Sequence, residues 1–179
     1  HQAGLYVQDQ IKFGERWVLS AGRRRDSARI DTDYDARAAA NAPFAITTVR
    51  RTDSAVTGRL GLIYLAPSGL APYVSFNNSF QPPLTTVTAT DTNGRPYEPE
   101  PARQFEAGLR YAPPSAGYTL SAAVFDLRKR NVRTPSTLNP RFDVQTGEVR
   151  NRGLELQAQG EIGGGFSAMA GALALAFIV

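Results

Sequence analysis

The chain has 179 residues, 42% of them hydrophobic and 20% charged, with no Cys, one Met, one Trp and a formal net charge of +4. That hydrophobic content excludes a disordered chain, the lack of Cys excludes a disulfide scaffold, and 16 Gly and 12 Pro fall short of a collagen-like or low-complexity sequence. No run approaches the roughly 18 unbroken apolar residues of a transmembrane helix, but a barrel strand faces lipid on one side only and escapes that test.

Alternation of period two begins at Leu5. From Leu5 to Phe13 the odd positions are Leu, Val, Asp, Ile and Phe and the even ones Tyr, Gln, Gln and Lys, which predicts a strand with one apolar face. Asp9 falls on the apolar parity, so either it lies near a membrane rim or a bulge shifts the register there. Gly14-Glu15-Arg16 has the length of a tight turn, after which Trp17, Leu19 and Ala21 alternate with Val18, Ser20 and Gly22. Residues 26 to 51, rich in Asp, Arg and Ala, form a long polar connection. A second hairpin joins residues 52 to 65, where Val56, Leu60, Leu62 and Tyr64 share a parity, through Ala66-Pro67-Ser68-Gly69 to Tyr73-Val74-Ser75-Phe76.

A Thr- and Pro-rich connection covers residues 81 to 101. The cleanest alternation follows, with Phe105, Ala107, Leu109 and Tyr111 opposed to Gln104, Glu106, Gly108 and Arg110. The turn Pro113-Pro114-Ser115-Ala116-Gly117 opens a strand from Tyr118 to about Leu127, and a third long connection runs from Asn131 to Val144. A fourth hairpin joins residues 145 to 161, with Leu154, Leu156 and Ala158 on one parity, through Gly163-Gly164-Gly165 to residues 166 to 179.

Short turns thus alternate with long polar connections, as periplasmic turns and extracellular loops do in transmembrane β-barrels. Tyr6, Trp17, Tyr64, Tyr73, Tyr111 and Tyr118 are expected near the short-turn ends, where an interfacial aromatic girdle would sit. A soluble β-sandwich shares the period-two pattern, but Gln, Glu, Arg, Asn and Gly on the opposite faces of long strands fit a wet lumen better.

Enzymatic chemistry finds little support. The single His is His1 and there is no Cys, so His triads and Cys or His zinc sites cannot be built, and no catalytic, metal or cofactor site is expected. Asp31-Thr32-Asp33-Tyr34-Asp35 is like the start of a calcium loop, yet Ala36 stands where Gly is needed and Ala42 where the bidentate Glu belongs; an acidic loop tip is expected. Gly163-Gly164-Gly165 lacks the Lys-Ser/Thr of a phosphate loop. Eighteen of the 20 basic residues are Arg, but the clusters at residues 23–25 and 128–130 are short and lack a recognition pattern, so nucleic acid is not an expected partner.

Several segments together resemble TonB-dependent siderophore receptors. Gly4-Leu5-Tyr6-Val7-Gln8-Asp9-Gln10 followed by Trp17-Val18-Leu19-Ser20-Ala21-Gly22-Arg23 resembles the family's YxQDQ strand and the WxLxxGxR strand after it. Arg59 to Tyr64 and Pro72 to Pro82 are similar to its RxGLxY and PYxSxxxSFxP segments. Pro99-Glu100 through Phe105-Glu106-Ala107-Gly108-Leu109-Arg110-Tyr111 is similar to its PExxxxExGxKY, with five residues between the two Glu and Arg110 in place of Lys. Ala122 to Asp126, Asn131-Val132 and Gly147 to Leu156 complete the resemblance, which runs to about Met169.

The resemblance implies an all-β fold: an antiparallel transmembrane segment of about eight strands from a 22-stranded barrel, with short periplasmic turns and long extracellular loops, in the bacterial outer membrane. It implies that residues 1–179 are part of the barrel domain, with plug, TonB box and signal peptide absent, and that Ala170 to Val179 departs from the family pattern through truncation or a shifted frame. A free helix or signal-like segment is the rival reading of that tail. The implied function is ferric-siderophore uptake, with TonB engaged through the missing plug and TonB box and with outer-membrane lipid around the wall. A small eight-stranded structural barrel and a soluble β-rich binding module are the alternatives.

Within that reading, ligand-facing candidates are Tyr34, Arg37 and Phe44 in the first loop, Arg95 and Tyr97 in the second, and Arg133, Arg141 and Phe142 in the third. Arg pairs with anionic chelates and aromatics stack on planar groups. Among Asp9, Arg23, Arg59, Glu106, Glu148, Arg150, Arg152 and Glu155, those on lumen-facing parity are expected to form ion-pair ladders in the wall.

Overall fold

A computed structural model describes residues 1–35, 43, 45–83, 90, 94, 96–138, 143–163 and 165–178. Eight strands, β1 (Gln2–Phe13), β2 (Trp17–Asp35), β3 (Ile46–Tyr64), β4 (Leu70–Gln81), β5 (Glu100–Tyr111), β6 (Tyr118–Pro135), β7 (Asp143–Gly163) and β8 (Phe166–Ile178), form one antiparallel sheet in chain order. β1 and β8 are its two edges and do not pair with each other, so the chain does not close into the small eight-stranded barrel.

Among the described residues, nothing resembling a soluble core lies against this sheet. The buried hydrophobic residues among those described are Val18, Ala28 and Tyr97, whereas Leu5 is 82% exposed, Phe105 56% and Val124 54%. Paired residues share a face in an antiparallel ladder, so the register sorts every side chain. Leu19, Leu62, Val74, Ala107, Val124, Leu154 and Ala174 fall on one face, Ser20, Gly61, Ser75, Glu106, Phe125, Gly153 and Leu175 on the other. The apolar face is the outer one and the more exposed. This inverts the burial of a soluble sandwich and removes that alternative.

The turns follow their sequences. Gly14 and Gly69 adopt φ of 60° and 84°, and a Cβ on Gly69 would meet Ala112 O at 2.2 Å, so the tight turn at 65–69 requires Gly. Two inner-face glycines admit a ring from the next strand: Tyr73 lies across Gly108 and Phe125 across Gly153, at 2.4 Å and 2.6 Å from where a Cβ would stand.

Several expectations are corrected. The pairing of β1 with β2 is continuous from Gln2 to Phe13, so no bulge rescues Asp9, which faces outward opposite Ala21. Of the expected girdle, Trp17, Tyr64, Tyr111 and Tyr118 lie on the outer face at the short-turn ends, with ring centroids 4.9 Å apart for Trp17–Tyr64 and 6.4 Å for Tyr111–Tyr118. Tyr73 instead points inward, and Tyr6 is inward and well up β1, opposite Arg24. Residues 31–35 belong to β2 rather than to a loop tip, and residues 166–178 pair along β7 as a strand, which excludes a helical tail.

Candidate functional site

Three surfaces carry polar chemistry: the inner face, the long-loop ends of the strands, and a band of charge on the outer face. On the inner face the Tyr73 hydroxyl donates to Glu106 Oε1 at 2.7 Å, and Gln104 Nε2 donates to Glu106 Oε2 at 3.1 Å. Arg24 pairs with Asp26 at 2.8 Å, and Arg51 grips Asp53 with Nε at 2.8 Å and Nη2 at 2.9 Å. Arg24–Asp26 and Arg51–Asp53 each join residues two apart on one strand, whereas Lys129 Nζ on β6 reaches Glu100 Oε2 on β5 at 2.5 Å, so the inner-face ion pairs run both along and across strands. Arg59, Glu106 and Glu155 share this face, as lumen-facing parity requires. The result is a polar wall with mixed charge.

At the long-loop end, Tyr97 is 4% exposed. Arg133 Cζ stands 4.2 Å over its ring, the Tyr97 hydroxyl donates to the Asp143 carbonyl at 3.3 Å, and Arg133 Nη2 reaches Asp143 Oδ2 at 2.7 Å. Asn131 holds φ at 57° where the β6–β7 register shifts, and its amide donates to the Pro99 carbonyl at 2.9 Å. Gln145 and Glu98 exchange two further bonds, from Glu98 N to Gln145 Oε1 and from Gln145 Nε2 to Glu98 O. Residues 97–99 are therefore clamped to the tops of β6 and β7.

This placement bears on the ligand candidates. Tyr97 and Arg133 are brought together, but against each other, leaving the Tyr97 ring no open face for stacking. Tyr34 is the penultimate residue of β2 and pairs with Thr47. Arg37, Phe44, Arg95, Arg141 and Phe142 lie outside the described residues.

The outer charges were the least legible. Asp126 accepts from three guanidinium groups: Arg150, whose Nε is at 3.0 Å, Arg152 at 3.0 Å and Arg128 at 3.4 Å. The register puts all four residues on the outer face with Arg103, so Arg150 and Arg152 are outside the lumen, as is Arg23. Extending the parity of Val124 and Leu154 along their strands would have found them.

Comparison with known proteins gives a consistent family. Residues 1–177 match the family described as TonB dependent receptor-like, beta-barrel. The metal-pseudopaline receptor CntO of Pseudomonas aeruginosa is 33% identical over 158 residues, covering 88% of this chain and 22% of that protein. The ferrioxamine B receptor of Salmonella typhimurium is 32% identical over 160 residues, covering 88% and 20% respectively. The chain thus spans about a fifth of the length of these relatives. Among solved structures, the siderophore receptor PiuA from Acinetobacter baumannii superposes with a TM-score of 0.77 at 25% identity, over 98% of this chain and 25% of that one. The ferric-catecholate import receptor Fiu from Escherichia coli K12 gives 0.77 at 18% identity, over 98% and 27%. An open sheet with an apolar exterior, a polar interior and alternating short and long connections is what a section of such an outer-membrane barrel requires, and the chain belongs to the TonB-dependent receptor β-barrel family.

Proposed function

We propose that this chain forms part of the barrel wall and extracellular loops of a receptor that takes up a ferric siderophore across the outer membrane, driven by TonB. The observation that carries the reading is the two-sided register: an apolar exterior for lipid and an interior of Tyr73, Glu106, Arg24, Asp26, Arg51 and Asp53 for a hydrated passage. The named relatives for ferrioxamine B and metal-pseudopaline support a metal-chelate cargo. The chain's own part is physical rather than catalytic. It excludes lipid, keeps the lumen wet and holds the long loops over its mouth. In this reading the plug and TonB box come from other parts of the receptor, and residues 1–179 act as one section of the barrel domain.

The test is uptake by cells producing the complete receptor that contains this chain, supplied with radio-iron as ferrioxamine B or as ferrichrome. Accumulation that disappears when TonB is deleted is expected for at least one chelate. A receptor that reaches the outer membrane yet gives the same accumulation with and without TonB contradicts the proposal.

A further inference from the structure

The last strand reverses the pattern of its neighbour. On β7 the outer parity carries Leu154 and Leu156, and the inner one Glu155, Gln157 and Gln159. Across from them on β8, Ala170, Ala172, Ala174 and Ala176 face outward, while Met169, Leu173, Leu175 and Phe177 face the polar interior. Leu173 therefore stands opposite Glu155 and Met169 opposite Gln159, and the Gln157 amide reaches the Met169 sulfur at 3.6 Å. Leu173 is 58% exposed and Phe177 64%, so the inward ridge is not packed under other side chains of the chain. The large apolar groups of β8 are on the side meant for water, and its small ones on the side meant for lipid.

The reversal has a local cause. Beside the turn Gly163 pairs with Phe166, but from Glu161–Ser167 onward the ladder is displaced by one residue, because Ile162 is skipped. A bulge of this kind adds one residue to one strand, and a one-residue displacement exchanges the two faces of everything beyond it. If Ile162 rejoined the ladder, the register of the Gly163–Phe166 pair would run up the whole hairpin. Leu173 would then oppose Leu156 and Leu175 would oppose Leu154, while Ala172 and Ala174 would turn inward opposite Gln157 and Glu155. The outer surface has room for the exchange. An open apolar groove of about 800 Å³ is bordered by Val74, Phe105, Val124, Ala174 and Ala176, and another of about 660 Å³ by Leu109, Leu120, Leu156, Ala170 and Ala172.

We propose that β8 is a two-register strand, with Ile162 bulged in one register and paired in the other, and that lipid against the outer face selects the paired one. Apolar area decides the direction: two Leu, a Phe and a Met leave water for hydrocarbon, and only alanine methyls make the reverse passage. Pairing Ile162 also removes the local break in the ladder that a bulge leaves. At about 3.3 Å per residue and a tilt near 40°, the 13 residues of β8 span roughly 33 Å along the membrane normal, so the ridge crosses an apolar band of about 25 Å. An opposite displacement on the far side of β8 preserves the fixed stagger of a closed barrel. The exchange acts on the passage as well, because it replaces a lumenal ridge of Leu and Phe by alanine and so widens the lumen along β8. The inference rests on the outer face meeting lipid and is independent of the transported cargo.

The experiment places single nitroxide-labelled cysteines at positions 172, 173, 174 and 175 of the complete receptor in lipid vesicles, after heat-modifiable gel migration has shown each labelled protein to be a folded barrel. Positions 173 and 175 are expected to be severalfold more accessible to bilayer oxygen, relative to a water-soluble nickel chelate, than positions 172 and 174. Two variants then test the second register. L173N/F177N makes the odd parity polar and should return β8 to the bulged register, so that a label at 175 becomes accessible to the chelate. A172L/A174L, which keeps the strand apolar and loads the even parity instead, should move that label in the same direction and serves if the first variant does not fold. Lipid access at 174 in the unmodified receptor, or no difference between odd and even positions, overturns the proposal. Lipid access at 175 that persists in the variants also overturns it, because β8 would then hold one register only. Labels on β5 of the same receptor report separately whether the outer face meets lipid, so a failed premise and a failed switch are told apart.

Discussion

The guanidinium of Arg133 covers the ring of Tyr97, 4.2 Å from its centroid, although the two residues belong to different long connections in the sequence. With the Tyr97 hydroxyl on the Asp143 carbonyl and Arg133 on the Asp143 carboxylate, one contact set ties residues 97–99 to both β6 and β7. Two residues that alone look suited to gripping a ligand are engaged in holding a loop.

Removing either partner should therefore free that loop while leaving the sheet intact. A partly buried cation–π contact contributes about 1–2 kcal/mol. Arg133→Ala is expected to raise amide hydrogen exchange at Tyr97 and Glu98 by about 5- to 30-fold, with β1 to β4 unchanged. Uniform acceleration across the sheet would show that Arg133 supports the whole fold instead.

The ring-over-glycine pairs make a second prediction. A methyl group at Gly108 would stand 2.4 Å from the Tyr73 ring, so Gly108→Ala must displace it and disturb its bond to Glu106. Overpacking of this kind costs about 1–3 kcal/mol. The double variant G108A/Y73A should lose less than the two single losses added together, because Y73A removes the ring that the added methyl would strike, and that methyl partly fills the space the ring leaves. Urea unfolding of the complete receptor in lipid vesicles gives the comparison, and strict additivity would mean that ring and glycine do not interact.

The two faces should respond oppositely to charge. Val124→Arg places a cation within the apolar band and should cost about 2–4 kcal/mol, whereas Gln157→Arg on the inner face should cost less than about 1 kcal/mol. Heat-modifiable gel migration and vesicle refolding yields report both. Equal penalties would deny that the interior is wet.

Much of this was written in the sequence where one face is apolar. Phe105 to Tyr111 announces its strand and both its faces, and the 14–16 and 65–69 turns fall where Gly permits them. The strand extensions were hidden. β2 continues to Asp35 and β3 begins at Ile46, well inside the expected long loop, because there both faces are polar: Asp31 lies near Arg29 and Arg50, Asp33 accepts from Thr48, and Arg51 grips Asp53. Ion pairs and side-chain bonds stabilise these parts of the ladder, and polar pairs on two faces leave no hydrophobic period to detect. β6 likewise runs to Pro135, past the register shift at Asn131, whose φ of 57° suits Asn but does not announce itself in a polar stretch. Tyr97 shows the complementary gap, since residue type suggested ligand stacking while its burial depends on Arg133 and Asp143, distant in sequence.

A transmembrane wall requires that one parity of β5 meet lipid and the other water. The chain has no Cys, so single cysteines carrying a nitroxide can be placed at residues 103 to 111 of the complete receptor in vesicles without background labelling from this segment. Positions 105, 107 and 109 should be accessible to oxygen dissolved in the bilayer and shielded from a water-soluble nickel chelate. Positions 104, 106 and 108 should show the reverse. Chelate access on the odd parity, or no alternation along the strand, would contradict the transmembrane wall.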